Sequence, residues 1–310
     1  MQIQNIQGLL RELKEDNTSG ANEFIDKALE IIKLQLSLTL DPYEDIKEEF
    51  NDLSKHIINA RPSMAPLINT IGCVIHDLAE FNKNIIEERL DKFNFSRQKR
   101  IESLELNFHT FLKERRFPLK IMLISYSSTI ISLLLNNKEF NIEIFVLESR
   151  PLLEGRKTAE ILSQWFKTHL IIDAAIGKFI NQVDLVLIGV DSILKDGSII
   201  NKIGTYPLAL LGKENRKSVY AVCDSFKYNL RSHFGEPILI EEKPSKEIYN
   251  KEVKQNSLKV HNYYFDITPP QYISKIISNL GILTIEDFLK RVQESLPIEW
   301  FKYFIHNKKI

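Results

Sequence analysis

Five short apolar runs separated by helical patterns constrain the fold more than any other feature of this sequence. Each run is nearly continuous in hydrophobic residues, which predicts a strand buried on both faces. Strands of this kind that alternate with helices predict a Rossmann-like α/β domain with a doubly wound parallel sheet. The predicted strands lie at 119–126, 142–148, 170–174, 184–189 and 218–222, and the predicted helices at 128–135, 152–166, 176–182 and 206–213.

The first 116 residues have a different pattern, in which apolar residues recur every three or four positions. This spacing predicts four to six amphipathic helices, with prolines only at Pro42, Pro62 and Pro66, where one helix could end and another begin. The last of them, over 81–117, is expected to cross to the sheet. We therefore predict a helical bundle domain at 1–116, a Rossmann-like domain at 117–285 and a C-terminal helical tail at 286–310.

Two segments carry less information. Residues 231–260 are charged and irregular, which is typical of a surface loop that covers the sheet. The tail carries Trp300, Phe301, Tyr303 and Phe304 among lysines. We expect it to dock on its own domain or on a second copy of the chain.

Overall charge excludes some classes of partner. The chain has 41 basic and 41 acidic side chains, so no bulk field attracts nucleic acid or a membrane surface. Its N-terminus is polar, and no run approaches the ~18 apolar residues of a spanning helix, which predicts a cytoplasmic protein with no membrane contact. Cys73 and Cys223 lie far apart in apolar stretches, as buried thiols do in a reducing compartment. The seven histidines show no metal-ligand spacing, and we expect neither a metal nor a cofactor.

Polar residues follow the predicted strands, whose carboxyl ends meet at one edge of the sheet, where ligands bind in such folds. Ser127 and Ser128 begin a helix, either as a seat for an anion or as an ordinary N-cap. Arg150 and Arg156 on the next loop could hold a phosphate with paired N–H groups, although either arginine taken singly is more typical of an exposed surface charge.

Asp191 is a stronger candidate, because it follows the most apolar of the strands. An unpaired carboxylate is costly in such a place, so we predict a functional or network role for it. Residues 196–205 add a glycine turn, an Asn201–Lys202 pair and a Gly–Thr helix start beside this carboxylate.

Six motifs together resemble one family. They are Arg61-Pro62-Ser63, Glu148-Ser149-Arg150-Pro151, Gly189-Val190-Asp191-Ser192, Asn201-Lys202-Ile203-Gly204-Thr205, Asp224-Ser225-Phe226-Lys227 and Phe265-Asp266-Ile267-Thr268-Pro269-Pro270. The chain is similar to the family of the translation initiation factor 2B alpha, beta and delta subunits, with ribose-1,5-bisphosphate isomerase and methylthioribose-1-phosphate isomerase. The alpha-type and archaeal members are the most similar. The Asn-Lys-Ile-Gly-Thr motif is the most specific, and the resemblance covers most of 118–285.

This resemblance implies a phosphate-binding cleft between the two domains, and a homodimer or higher homo-oligomer formed through the C-terminal domain. The ligand it implies is a phosphorylated small molecule, either a sugar phosphate or a nucleotide. The residues assigned to that ligand are Arg61, Tyr126, Ser127, Ser128, Arg150, Arg156, Asn201, Lys202 and Lys227.

The isomerases of the family work with a cysteine after the first strand and an aspartate after the fourth. Asp191 matches that aspartate, whereas Ser125 stands at the cysteine position. A hydroxyl is a much weaker acid than a thiol, and a weaker nucleophile unless a base activates it. Cys223 ends a different strand and is expected to be a buried structural thiol.

Three hypotheses follow from the resemblance. The first is a regulatory protein like the initiation factor 2B alpha subunit, which keeps the cleft, lacks the chemistry and has initiation factor 2 or sister subunits as partners. The second is an isomerase that converts ribose 1,5-bisphosphate to the ketose, with Asp191 moving a proton and Ser125 or a water replacing the thiol. The third is a homo-oligomeric scaffold with a vestigial cleft. The serine at position 125 favours the first.

Overall fold

The computed structural model describes residues 2–16, 21–39, 46–60, 64–76, 81–251 and 257–302. Within these ranges, no helix has the length and apolar character needed to cross a membrane. The N-terminal part is helical, as the spacing of its apolar residues predicts. Its helices are α1 (Gln2–Glu15), α2 (Ala21–Leu38), α3 (Lys47–Ala60), α4 (Ala65–Val74) and the long α5 (Lys83–Lys113).

Strands and helices alternate after α5, which confirms the predicted α/β class. The strands are β1 (Leu119–Leu123), β2 (Ile142–Leu147), β3 (Lys167–Ile171), β4 (Leu185–Ile188), β5 (Ser192–Ile193), β6 (Ile199–Lys202), β7 (Ser218–Val222), β8 (Phe265–Thr268), β9 (Lys275–Ser278) and β10 (Gly281–Leu283). The helices are α6 (Ser128–Leu135), α7 (Glu154–Leu162), α8 (Ile176–Phe179), α9 (Thr205–Glu214), α10 (Leu230–His233) and α11 (Ile285–Ser295).

The main sheet has seven strands in the order β10-β9-β7-β4-β1-β2-β3. All neighbouring strands are parallel except β10, which runs antiparallel to β9. From β1 the chain builds outward through β2 to β3, and it then returns to the other side of β1 with β4 and continues to β7 and β9. The strand order therefore reverses between β1 and β4, and a crevice opens beyond their carboxyl ends.

A second, antiparallel sheet in the order β5-β6-β8 lies beside this crevice and was not predicted. Asn201 and Lys202 in β6 pair with Asp266 and Phe265 in β8. The polar Asn-Lys pair made this segment resemble a turn, because its burial comes from tertiary contacts that the sequence pattern does not reveal.

The bounds of one predicted strand are wrong by about three residues. The apolar run at 170–174 indicated a strand there, whereas β3 ends at Ile171. β3 is the edge strand of the main sheet, and Leu170 is 49% exposed, so hydrophobicity does not mark its bounds. Asp173 begins a short 3₁₀ turn after it.

The helical region and one face of the main sheet share a continuous apolar core. Helix α4 lies at its centre, with nearly every residue buried. The opposite face packs against the C-terminal half of α5, with α6 and α7. Buried Asn69 of α4 also donates hydrogen bonds of 2.8 Å to the carbonyls of Phe226 and Tyr228, which join α4 to the turn after β7.

The tail docks on the chain's own helical region. The Trp300 indole stacks on the His76 ring at 4.7 Å between ring centroids, and Phe301 is fully buried near Phe234. Tyr303 and Phe304 lie outside the described residues. The sequence predicts that the tail docks either on its own chain or on a second copy, and this contact lies within its own chain.

This docking predicts an effect of Gly72→Ala. A methyl group at Gly72 would lie 1.9 Å from the Trp300 indole nitrogen, so the indole must move. We expect a loss of about 1–3 kcal/mol in the free energy of unfolding, measured by urea denaturation. Gly8→Ala in α1 is the control, because its methyl group would meet nothing within 4 Å and should stabilise the helix. Equal stability of the Gly72→Ala and unmodified proteins would contradict this packing.

Candidate functional site

A cavity of about 390 Å³ occupies the crevice beyond β1 and β4. Its floor is formed by the segments after β1, β4 and β7, and by the first turn of α6. Its other walls come from the helical region, with Asn22 and Glu23 of α2, Pro66 of α4 and Glu105 of α5. The cavity therefore lies between the two parts of the chain, as in the cleft that the family resemblance implies.

The structure brings most of the predicted site residues to this cavity. Those that line it are Ser125, Tyr126, Ser127, Ser128, Asp191, Asn201 and Lys227. Arg150 and Arg156 are exposed and are not among the lining residues, and Arg156 forms an ion pair of 2.9 Å with Glu148. Arg61 lies outside the described residues.

Ser125 is held in place from three sides. Its N–H donates to Ser149 Oγ at 2.8 Å, and its carbonyl accepts from Thr158 Oγ1 at 2.9 Å. Its own hydroxyl donates to Glu154 Oε1 at 3.1 Å. The backbone has φ of +70°, in the left-handed region that serine seldom adopts. The end of β1 thus fixes one hydroxyl at the cavity floor.

The loop after β2 places Glu154 behind this serine. Asp173 accepts hydrogen bonds from the N–H groups of Ser149 and Arg150 at 2.8 and 2.7 Å, which fix the loop. A side chain at Gly155 would lie 1.8 Å from the carbonyl oxygen of Leu147, so glycine is needed where α7 begins against the end of β2. Asp173 and Gly155 are thus functional-loop residues to which the sequence assigns no role.

Glu154 also forms a buried ion pair. Its Oε1 lies 2.7 Å from Nζ of Lys202, whose side chain is 4% exposed. Lys202 was predicted to bind the ligand, and the structure instead places its ammonium against this carboxylate. Sequence reasoning missed Glu154, because a glutamate at the start of a helix is a common surface residue.

Asp191 follows β4, and its N–H donates to the carbonyl of Ile200 at 2.9 Å. Its side chain keeps 30% exposure and lines the cavity. Desolvation raises the pKa of this carboxyl above its ordinary value, and the nearby Glu154 charge acts in the same direction. Lys227, with Nζ 4.0 Å from Oδ1, and Lys202 oppose that rise. The net effect on the pKa is upward, because desolvation outweighs the attraction to these two lysines.

The other charges around the cavity are mainly acidic. Glu23, Glu105 and Asp224 line it together with Asp191, and the sequence did not identify the first two. Among the described residues that line the cavity, Lys227 is the one basic side chain. Asp224 lies 4.0 Å from Nε of Arg100, a partly buried arginine of α5 stacked on Phe226.

Cys223 also lines the cavity, although it ends β7 rather than β1. It is 2% exposed, and burial raises the pKa of its thiol. A thiol kept protonated is a poor nucleophile, which agrees with the structural role predicted for it. In the described part of the chain, no group of three or more His, Cys, Asp or Glu side chains is arranged to hold a metal ion.

Comparisons with known proteins identify the family. Residues 1–285 match the initiation factor 2 subunit family, to which the chain belongs. The ribose 1,5-bisphosphate isomerase of Methanocaldococcus jannaschii is 31% identical over 261 residues, 83% of each chain. The Archaeoglobus fulgidus protein of the same name is 30% identical over 78% of this chain and 79% of its own. A crystal structure of Pyrococcus horikoshii translation initiation factor eIF-2B has a TM-score of 0.76 at 25% identity, covering 90% of this chain and 97% of that one.

The environment of Asp191 predicts a pH-dependent effect on stability. Because its pKa is raised in the folded chain, its contribution is complete below the ordinary value of about 3.9 and is lost as the pH rises through the folded value. Asp191→Asn, which cannot ionise, should therefore be more stable than the unmodified protein at pH 7.5 and equally stable near pH 3.

Urea denaturation at a series of pH values measures this difference. Asp91→Asn, at an exposed position of α5 outside the cavity, is the control and should show no such trend. A less stable Asp191→Asn protein at pH 7.5 would mean that the attraction to Lys227 outweighs the cost of desolvation.

Proposed function

We propose that the chain is a sugar-phosphate isomerase, which converts ribose 1,5-bisphosphate or a close aldose 1-phosphate into the ketose. The observation that carries the proposal is Asp191, a carboxyl with a raised pKa at the floor of a cavity that Ser125 also lines. The two archaeal relatives named ribose 1,5-bisphosphate isomerase support this substrate class. Their similarity favours the isomerase over the regulatory subunit, which the sequence alone had favoured.

The reaction needs both a proton donor and a proton acceptor. When the sugar ring opens, the bond from C1 to the ring oxygen breaks and that oxygen gains a proton. The hydrogen on C2 then moves to the electron-deficient C1 together with its bonding electrons, and the C2 hydroxyl loses its proton as the ketone forms. A carboxyl whose pKa is raised above that of an ordinary aspartate is suited to donate a proton, and we assign the protonation of the ring oxygen to Asp191. The C2 hydroxyl gives its proton to a second group, for which Ser125 on the same cavity is the candidate.

We place one phosphate at the first turn of α6. Ser127 caps this helix by accepting from the N–H of Ile130, and helix N-termini favour anions. Lys227 supplies a positive charge on the same cavity. Asn201 lines the cavity and donates to Thr205 Oγ1 at 3.0 Å, which orients its amide.

A regulatory role in translation is the second candidate, and two observations favour it. Ser125 stands where the isomerases of the family have cysteine, and one structural neighbour is named a translation initiation factor. In that case the cavity binds a phosphorylated ligand without turnover. We also propose that the chain forms a homo-oligomer through its C-terminal domain. As a regulatory protein it would contact initiation factor 2 or sister subunits.

An assay of ribose 1,5-bisphosphate by phosphorus NMR tests the isomerase. The unmodified protein should form the ketose bisphosphate, and Asp191→Asn should lower kcat by about 10²- to 10⁴-fold, as loss of a general acid–base group does. Asp196→Asn, on an exposed turn outside the cavity, is the control and should leave kcat unchanged. Saturable binding of the bisphosphate without turnover by the unmodified protein would contradict the isomerase and support the regulatory candidate.

Lys227 should matter for affinity. Removing a hydrogen bond from an ammonium to a phosphate costs about 1.5–3 kcal/mol, so Lys227→Met should raise the Kd for ribose 1,5-bisphosphate roughly 10- to 150-fold. Lys213→Met, on the exposed part of α9, is the control. Isothermal titration calorimetry measures both, and an unchanged Kd for Lys227→Met would remove this lysine from the site.

A further inference from the structure

The hydroxyl of Ser125 has a specific partner. It donates to Glu154 Oε1 at 3.1 Å, while its backbone is fixed by Ser149 and Thr158. A serine hydroxyl that points at a carboxylate is arranged to lose its proton to that carboxylate. Ser125 lines the cavity, whereas Glu154 is not among the lining residues. Glu154 therefore reaches the cavity only through Ser125.

Glu154 is kept ready for this role by its surroundings. The ammonium of Lys202 lies 2.7 Å from the oxygen that also accepts from Ser125, so a positive charge stands directly beside the proposed proton acceptor. The second oxygen, Oε2, is buried and has no hydrogen-bond partner in the described part of the chain. The proton of Ser125 would therefore pass to Oε1, the oxygen that its hydroxyl contacts, and no donor in the described part of the chain holds Oε2.

We propose that Ser125, Glu154 and Lys202 form a proton relay, in which Ser125 exchanges protons with the substrate and Glu154 acts through it as a positioning residue. This inference rests on the proposed isomerase function for its role in turnover. It explains how a hydroxyl, with its weak acidity, can stand at a position where the related isomerases have a thiol.

The relay moves protons without forming a free alkoxide. In one direction, Ser125 Oγ accepts a proton from the substrate as its own proton passes to Glu154. In the other, Glu154 returns that proton to Oγ as Oγ gives one to the substrate. The total charge of the three side chains and the substrate stays constant. Glu154 is ionised again once its proton has returned through Ser125 Oγ, and the Lys202 ammonium keeps its protons throughout.

A purely structural ion pair is the competing explanation. In that case Lys202 and Glu154 only join β6 to α7, and Glu154→Gln lowers stability because it leaves a buried ammonium without its counter-charge. This loss would be the same whichever residue stands at position 125. The two explanations therefore differ in whether the effect of Glu154 depends on Ser125.

A double-mutant cycle measures this dependence. With Ser125 present, Glu154→Gln should lower kcat about 10²-fold or more with little change in KM, as loss of a general base does. In the Ser125→Cys background the same change should lower kcat by less than about 3-fold, because a thiol with a pKa near 8.5 ionises without help. In the Ser125→Ala background it should have no further effect on kcat.

Two variants keep the cycle interpretable. Glu160→Gln changes an exposed glutamate of the same helix and should leave kcat unchanged. If Glu154→Gln fails to fold, Glu154→Gln/Lys202→Met removes both buried charges together and takes its place. Equal losses of kcat in the Ser125 and Ser125→Cys backgrounds would overturn the relay.

A second readout does not depend on turnover. A fluorophosphonate should label Ser125, as the Oγ–P bond forms, the P–F bond breaks, fluoride leaves and the hydroxyl proton passes to Glu154. Peptide mass spectrometry locates the label. The rate should fall about 10-fold or more in Glu154→Gln, as expected when a general base is lost, and should be unchanged in Glu160→Gln.

The two readouts separate the two proposals. Labelling that depends on Glu154 in a protein without isomerase activity would support the relay and refute the proposed function. If the protein has no turnover, either of two labelling results also overturns the relay. One is that Ser125 is not labelled, and the other is that Glu154→Gln is labelled as fast as the unmodified protein. If turnover occurs, a kcat loss that is equal in the Ser125 and Ser125→Cys backgrounds overturns the relay and leaves the isomerase standing.

Discussion

The pairing of β1 with β4 is the constraint on which the rest of the structure depends. Because β2 and β3 extend the sheet on one side of β1, and β4, β7 and β9 on the other, the segments after β1 and β4 diverge and leave a crevice. Ser125 and Asp191 come directly from those two segments. Helices α2, α4 and α5 then close the crevice from above, joined to the strand ends through contacts such as Asn69 with the turn that carries Lys227.

Much of this arrangement could be predicted from the sequence. Strands β1, β2, β4 and β7 are buried on both faces and therefore appear as continuous apolar runs, so the sheet and the polar residues at its edge follow directly. Edge strand β3 and the small second sheet lack that signal, because part of their surface is exposed or polar. Their bounds depend on neighbours that are distant in sequence.

The residues of the candidate site likewise divide into those that the sequence predicts and those that only the structure identifies. Ser125, Asp191 and Lys227 were predicted because they end buried strands or belong to family motifs, and the structure brings them to one cavity. Glu154 could not be found in this way, since its role comes from its distance to Ser125 and Lys202 rather than from any local pattern. Arg150 and Arg156 were predicted from their residue type, and in the structure both are exposed and outside the cavity lining.

The chemistry proposed for this site depends on how its charges are distributed. Desolvation raises the pKa of the Asp191 carboxyl above its ordinary value, while the ammonium of Lys202 lies 2.7 Å from Glu154 Oε1. One carboxyl is thereby prepared to give a proton and the other to accept one. A thiol supplies this versatility by itself, whereas a serine requires a partner, which is why Ser125 and Glu154 are best understood together.

A single-turnover experiment, with the protein in excess over ribose 1,5-bisphosphate, shows whether the cavity catalyses the isomerisation. It detects chemistry even when product release or weak turnover would hide it in a steady-state assay. We expect the bound aldose to reach its equilibrium with the ketose bisphosphate within the first turnover, as followed directly by phosphorus NMR. Unchanged aldose that binds saturably and persists for hours would contradict an isomerase and leave a phosphate-binding regulatory protein.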